Sequence, residues 1–330
     1  MPIKAINGRD FNCSHGCGFY ISVPVVKGEK PKKKKVRTEI AFETVEVHEK
    51  DAHNGPNLNI PQDMLRLYLA MPMFGRNYVD QQRIRIAAEH RMRRMDELGF
   101  EETDELYQDQ LTQKTAALTA EQTTLKTAFN RLHGHPLYEY CDIIRGYGPV
   151  ACLTFMSFID PFKASTGGKA KAYFGVVPDA RRVAGEKANY NLEAKGRSYV
   201  ILNNIMMQKD PTYYNLYLQK KAMLHDKVRE APNHEGVKVH WPPFSKILED
   251  PVVCPRYPAC AKKMEGAAKR QKRKPKKPSC KAHLDNLAKR YVWGIMISHA
   301  AQLMREALGL DVSSYKTHRG YLPPTLIKQW

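Results

Sequence analysis

Two dense runs of lysine and arginine set the first constraint on this chain. Residues 27–37 (KGEKPKKKKVR) hold seven basic side chains and one acid, and residues 261–277 hold nine and one, so together they carry +14 of a net charge of +19. Neither run can enter a hydrophobic core, because an unpaired ammonium loses more hydration on burial than packing returns. Both must lie at the surface, and they leave the segments around them as the places where cores can form. Runs of this density act as point charges that displace counterions from a phosphate backbone, and the pI near 9.5 agrees.

The remainder is ample for folding: 42% of 330 residues are hydrophobic, enough to bury cores in two or three domains. No stretch approaches the roughly 20 apolar residues of a membrane helix, and the start MPIKAINGRD lacks the layout of a signal peptide. Neither basic tract has the interleaved apolar face of an interfacial helix. These features predict a cytoplasmic, nucleoid-associated protein whose partner is nucleic acid, with no membrane. Seven cysteines, five of them in short clusters that include His, suit metal in a reducing compartment better than disulfides.

The chain divides into residues 1–60, 61–136 and 137–330. In the first, 18–26 (GFYISVPVV) and 36–48 (VRTEIAFETVEVH) are rich in β-formers, so the pattern predicts a hairpin with a long basic tip. Its second strand alternates Ile40, Phe42, Thr44 (or Val45) and Val47 with Glu39, Glu43 and Glu46. A helical segment follows near 62–71, then an arm from about 79 to 132, broken at Gly99. Leu111, Leu118, Leu125 and Leu132 recur every seven residues there, with Thr115, Gln122 and Phe129 in the other seam position. That spacing fits either a helical hairpin or a coiled coil making a homodimer or higher oligomer. The predicted class is mostly α with a small N-terminal β-hairpin module (α+β).

The third segment opens on Arg145-Gly146-Tyr147-Gly148-Pro149, between an apolar helix end and a new helix. In a helix-hairpin-helix such a turn offers backbone N–H groups to phosphate without reading sequence. An insertion at about 227–283 carries Cys/His residues and the second basic tract. A helix from about Leu284 to Leu308 then places Leu284, Leu287, Tyr291, Ile295, His299 and Leu303 on one face, with Gly309 as its stop and His299 as a structural histidine.

Two clusters have the composition of zinc sites. Cys254-x5-Cys260-x19-Cys280-x2-His283 supplies three thiolates and an imidazole; Cys13, His15 and Cys17 need a fourth ligand such as His48 or His53. Cys141 and Cys152, in apolar surroundings, are expected to be core residues.

From Ile144 to Gly196, and again from His283 to Leu308, the sequence resembles the C-terminal domain of the DEDD-type, RNA-guided insertion-sequence transposases, the IS one-ten family that includes pilin-gene invertases. The landmarks are Arg145-Gly146-Tyr147-Gly148-Pro149, Ile159-Asp160-Pro161-Phe162, Tyr173-Phe174-Gly175-Val176-Val177-Pro178 and Lys195-Gly196-Arg197, in the family's order and spacing. The resemblance implies DNA recombination or transposition within a mobile element, with DNA and a guide RNA as partners. The family's nucleophilic serine falls where this chain has Arg182, Val183, Ala184 and Gly185, none of which can attack phosphorus. Its metal-binding acidic tetrad has no recognisable counterpart, since Asp10, Glu43, Glu46 and Asp63 form no pattern, so Mg²⁺ enters only if an active nuclease domain is supplied.

The expected function is therefore a transposase-type DNA-binding protein that does not cut strands by itself. The alternative is an active recombinase with a displaced nucleophile (Ser165, Thr166 or Ser198) or a partner's nuclease domain. Expected DNA contacts are Lys32, Lys33, Lys34, Lys35, Arg145, Gly146, Gly148, Lys195, Lys269, Arg270, Lys272, Arg273, Lys274, Lys276 and Lys277.

Overall fold

The computed structural model describes residues 3–4, 10–23, 31–53, 57, 59–181, 185–230, 262, 265–266, 269 and 280–316. The chain forms two compact units, Met1–Asn204 with Ile297–Gln329, and Ile205–Met296 with Trp330.

The first unit begins with a small antiparallel sheet in the order β1 (Ile3–Lys4), β2 (Asp10–Asn12), β3 (Tyr20–Ser22), in which Phe11 pairs with Ile21 and Asn12 with Tyr20. Helix α1 (Pro31–His53) packs on this sheet. Phe11, Cys13, Val23, Ala41 and Val45 form the core between them, with Phe19, Ile21 and Phe42 at its margin. The rings of Phe11 and Phe42 meet edge to face at 5.8 Å.

The expected second strand at 36–48 is therefore a helix. Ala41, Val45 and Glu49, four residues apart, are buried, while Ile40 and Val47 stand exposed. Two periods competed in this segment, and burial of the four-residue stripe against Phe11 decided in favour of the helix. Pro31 suits a first helical turn, and the Thr38 and Thr44 hydroxyls donate back to the carbonyls of Lys34 and Ile40 at 2.9 and 2.7 Å.

Helices α2 (Gln62–Leu98) and α3 (Glu105–Leu132) make the arm. α2 runs unbroken through Pro72 and passes so close to the helix that carries Ser157 that a Cβ on Gly75 would lie 1.8 Å from Ser157 Oγ. Gly99, at φ 79°, ends α2 as expected, with its N–H and that of Phe100 returned to the carbonyls of Asp96 and Met95. The two helices lie antiparallel: Asn77 bonds Thr124, Arg85 bonds Glu121 at 2.9 Å, and Arg91 bonds Gln113 at 3.0 Å. Ala117, Glu121, Thr124, Ala128 and Leu132 are buried on α3. The leucine repeat is not that seam: Leu132 is buried, Leu125 half-buried, and Leu111 and Leu118 exposed.

Short helices α4 (Pro136–Asp142), α5 (Gly148–Phe158) and α6 (Gly167–Tyr173) follow, then α7 (Leu192–Gln208), α8 (Pro211–Glu230), α9 (Cys280–Ala307) and α10 (Ser313–Lys316). Cys141 and Cys152 are fully buried, as expected. α9 starts before the expected Leu284 and stops before Gly309, which lies at φ 66°. Its buried stripe includes Leu284, Ala288, Val292 and Met296, whereas Tyr291 is exposed. His299 is buried, with Tyr140 Oη 3.4 Å from its Nδ1. In the second unit, Asp285 accepts from Tyr217 and from Lys221 and Lys289 at 3.1 and 2.9 Å.

Candidate metal centre and basic surfaces

Between β2 and β3 the chain turns tightly, with Gly16 and Gly18 at φ 62° and 87°. The Cys13 N–H donates to the Phe19 carbonyl and the Gly16 N–H to the Cys13 carbonyl, both at 3.0 Å. This turn carries Cys13 and Cys17 to the end of α1, where His48 and His53 stand. One ligand atom from each of the four lies within 4.8 Å of every other, and Cys17 Sγ is 3.3 Å from His48 Nε2. The group can hold a metal ion.

Several observations test the fit. A tetrahedral zinc with bonds of about 2.0–2.3 Å sets its ligand atoms roughly 3.3–3.8 Å apart, so the present spacing needs about 1 Å of closure. His53 Nε2 is buried without a hydrogen-bond partner, as a ligating nitrogen would be before its metal arrives. Burial, followed by the charges of His15 and His48, lowers the His53 pKa and keeps its imidazole in the neutral, ligating form. The Cys13 thiol is pushed up to about 12, chiefly by burial and further by Cys17 and Glu49 against the lowering effect of the His15 N–H. An ion must displace that proton, which makes metal affinity rise with pH.

The surroundings orient the ligands, as an outer shell should. Phe19 stacks on the His48 ring at 3.9 Å, and His15 stacks on His53 at 4.3 Å. The Glu49 carboxylate accepts from the Ser14 N–H at 2.6 Å. Buried Arg305, near the end of α9, donates to the carbonyls of Gly16 and Pro161 at 2.9 and 2.6 Å.

Of the expected residues, His15 stacks on His53 and is not one of the four that converge; both candidates for the fourth position, His48 and His53, are. The Cys-x3-Cys and His-x4-His spacings fall within the ranges usual for structural zinc. The spacings are legible in the sequence; that both histidines end one helix follows only from the helical state of 36–48.

Among the described residues no other group of three or more Cys, His, Asp or Glu converges in this way. Asp10 is paired with Lys163, and Glu43 and Glu46 are exposed on α1. Asp63 lies in the first turn of α2. Cys254 and Cys260 lie outside the described residues, and of Cys280 and His283 only their place at the start of α9 is described. Arg182, Val183 and Ala184, at the resemblance's serine position, are likewise outside.

The basic residues divide. Lys32 to Lys35 open α1, where no acid occupies the first turn; Lys34 and Lys35 are exposed. Lys269 is exposed, whereas Arg270, Lys272, Arg273, Lys274, Lys276 and Lys277 lie outside the described residues. Between α4 and α5 Arg145 is exposed, and Gly146 and Gly148 take φ 85° and 64°. A Cβ on Gly148 would meet nothing within 4 Å. Lys195 turns inward: its ammonium donates to the Gly175 carbonyl at 3.0 Å and lies 4.2 Å from the Tyr190 ring centroid.

No family model, curated protein or solved structure matches this chain. No helix of the described residues is long and apolar enough to cross a membrane.

Proposed function

We propose that this protein binds DNA through its phosphates, as a transposase-type factor that does not cut strands unaided, and that zinc closes its N-terminal module. The observation that carries this reading is the place of the first basic tract. It begins the same helix whose far end holds His48 and His53. A Cys₂His₂ ion would lock that helix against the two-stranded turn, as in modules that insert a helix start into the major groove.

Electrostatics supports an anionic partner at this end. Four lysines at the positive end of the α1 dipole repel both the dipole and one another, and phosphate relieves both repulsions. About 20 Å of helix separates Lys35 from His48 at 1.5 Å per residue, so the basic end extends away from the metal group. The turn at Gly146 and Gly148, taken as a helix-hairpin-helix, adds a second phosphate contact beside Arg145. Phosphate contacts of this kind also accommodate an RNA–DNA hybrid with a guide RNA. The four landmarks between Arg145 and Arg197 support the transposase type. Leu111 and Leu118, exposed on α3, support pairing with a second copy.

Fluorescence anisotropy of duplex DNA across a salt series tests this. With about six phosphate contacts, affinity falls roughly a thousandfold between 50 and 200 mM salt, and K32Q/K33Q/K34Q/K35Q lowers the log–log slope by about 3.6. An unchanged slope in that variant refutes the role of the tract.

One observation favours the second reading, an active recombinase. The Ser165 hydroxyl accepts from the Lys169 ammonium at 2.8 Å, which sets a hydroxyl beside an amine that would have to lose its proton before it could act as that hydroxyl's base. Nicking of supercoiled plasmid that Ser165→Ala abolishes would establish it; no nicking with Mg²⁺ or Mn²⁺ supports the first.

A further inference from the structure

A pocket of about 590 Å³ opens in the first unit beside the metal-binding turn. Its size lies within the roughly 300–1,000 Å³ of small-molecule sites. β2 and β3, which flank the turn, contribute Asp10 and Tyr20; α2 contributes Tyr68 and Arg76; α6 contributes Lys169 and Tyr173.

The acids of its floor are already committed. Asp10 accepts from Ser22 Oγ at 2.5 Å and from the Lys163 ammonium. Asp160 accepts from Asn12 Nδ2 at 3.1 Å and from the N–H groups of Phe162 and Lys163 at 3.0 and 3.3 Å. The cations are less fully engaged. Among the described residues Lys169 meets the neutral Ser165 hydroxyl and no acid, and Arg76 has no ion-pair partner. Two positive charges thus stand at the wall without matching acids, which favours an anion.

The aromatic lining adds a second requirement. Tyr20 and Tyr173 keep 46% and 44% of their surface exposed, while Tyr68 is buried beneath. Lys163 lies 4.2 Å from the Tyr20 ring centroid and fixes that ring. Exposed aromatic faces beside cations match a flat ring that carries a negative group.

We propose that this pocket receives one nucleoside monophosphate unit, its base on the tyrosine wall and its phosphate at Arg76 and Lys169. The unit can be a free nucleotide or a nucleotide extruded from a strand, as enzymes that handle single bases require. The strand source rests on the DNA-binding reading above; the free source does not.

The test uses the full, metal-loaded chain. AMP and dTMP are titrated calorimetrically, and a single-stranded oligonucleotide containing 2-aminopurine is followed by fluorescence. R76Q/K169Q alters only exposed side chains, and Tyr20→Ser removes the outer ring. Free-nucleotide affinity that falls about tenfold or more in both variants, while K32Q/K33Q/K34Q/K35Q leaves it intact, supports the free source. A 2-aminopurine signal on strand binding that both pocket variants abolish supports the strand source. If neither ligand responds to the pocket variants the proposal is overturned, and strand affinity that still depends on the lysine tract would show that the DNA-binding reading survives it.

Discussion

His135 offers a sharp test of how burial controls charge in this fold. It is 4% exposed, and its Nδ1 accepts the Leu137 N–H at 3.1 Å as the N-cap of α4. Burial alone lowers its pKa from 6.5 to about 4. Below 6.5 the unfolded chain takes up a proton that the folded chain refuses until about pH 4, so the unfolded state binds more protons in that window. Stability must therefore fall as pH drops through it, and the contribution is fully retained above 6.5. Across the window from about pH 7.5 to about pH 4.5 that difference amounts to a loss on the order of 2–3 kcal/mol from this one residue. Asparagine caps helices well and does not titrate, so His135→Asn should keep α4 while removing that share of the acid sensitivity. Urea unfolding followed by circular dichroism at both pH values measures the double difference, in which the other histidines and the carboxylates cancel. Equal acid destabilisation of the two proteins would refute the reasoning.

Three further outcomes follow from the geometry. Metal analysis should find at least one zinc per chain, and C17S/H53A should lower the count by one; an unchanged count removes the N-terminal four as ligands. Gly18→Ala and Gly99→Ala both force a side chain into the left-handed region at φ 87° and 79°, at about 1–2 kcal/mol each. Only the Gly18 Cβ meets neighbours, Lys169 Nζ at 2.3 Å and Ser165 Oγ at 2.7 Å, so thermal melts should show the larger loss there, with nucleotide affinity falling in that variant alone. L111K/L118K should convert a dimer to a monomer by light scattering without unfolding it, since both side chains are exposed; a wild-type monomer at micromolar concentration would leave those leucines without a partner.

Some of this architecture is written locally and so could be read from the chain. Gly99 stops α2 because a left-handed residue closes a helix wherever it occurs, and the mostly helical character follows from periods that need no distant partner. The ligand types of the metal group were equally visible, since thiols and imidazoles at short spacing serve few other purposes in that pattern. What the chain alone did not decide was which of two competing periods in 36–48 would be buried. Alternation favoured a strand, and only the apolar face of Phe11, Ile21 and Val23 selected the helix that buries Ala41 and Val45. That choice moved His48 and His53 to one helix end, stacked His15 on His53, and placed the lysine tract at a helix start. The pocket was hidden for the same reason: Tyr20, Arg76 and Lys169 are far apart in sequence and meet only where three elements pack. Helix and turn formation depend on near neighbours, whereas strand against helix, and the grouping of distant charges, depend on what lies across the core.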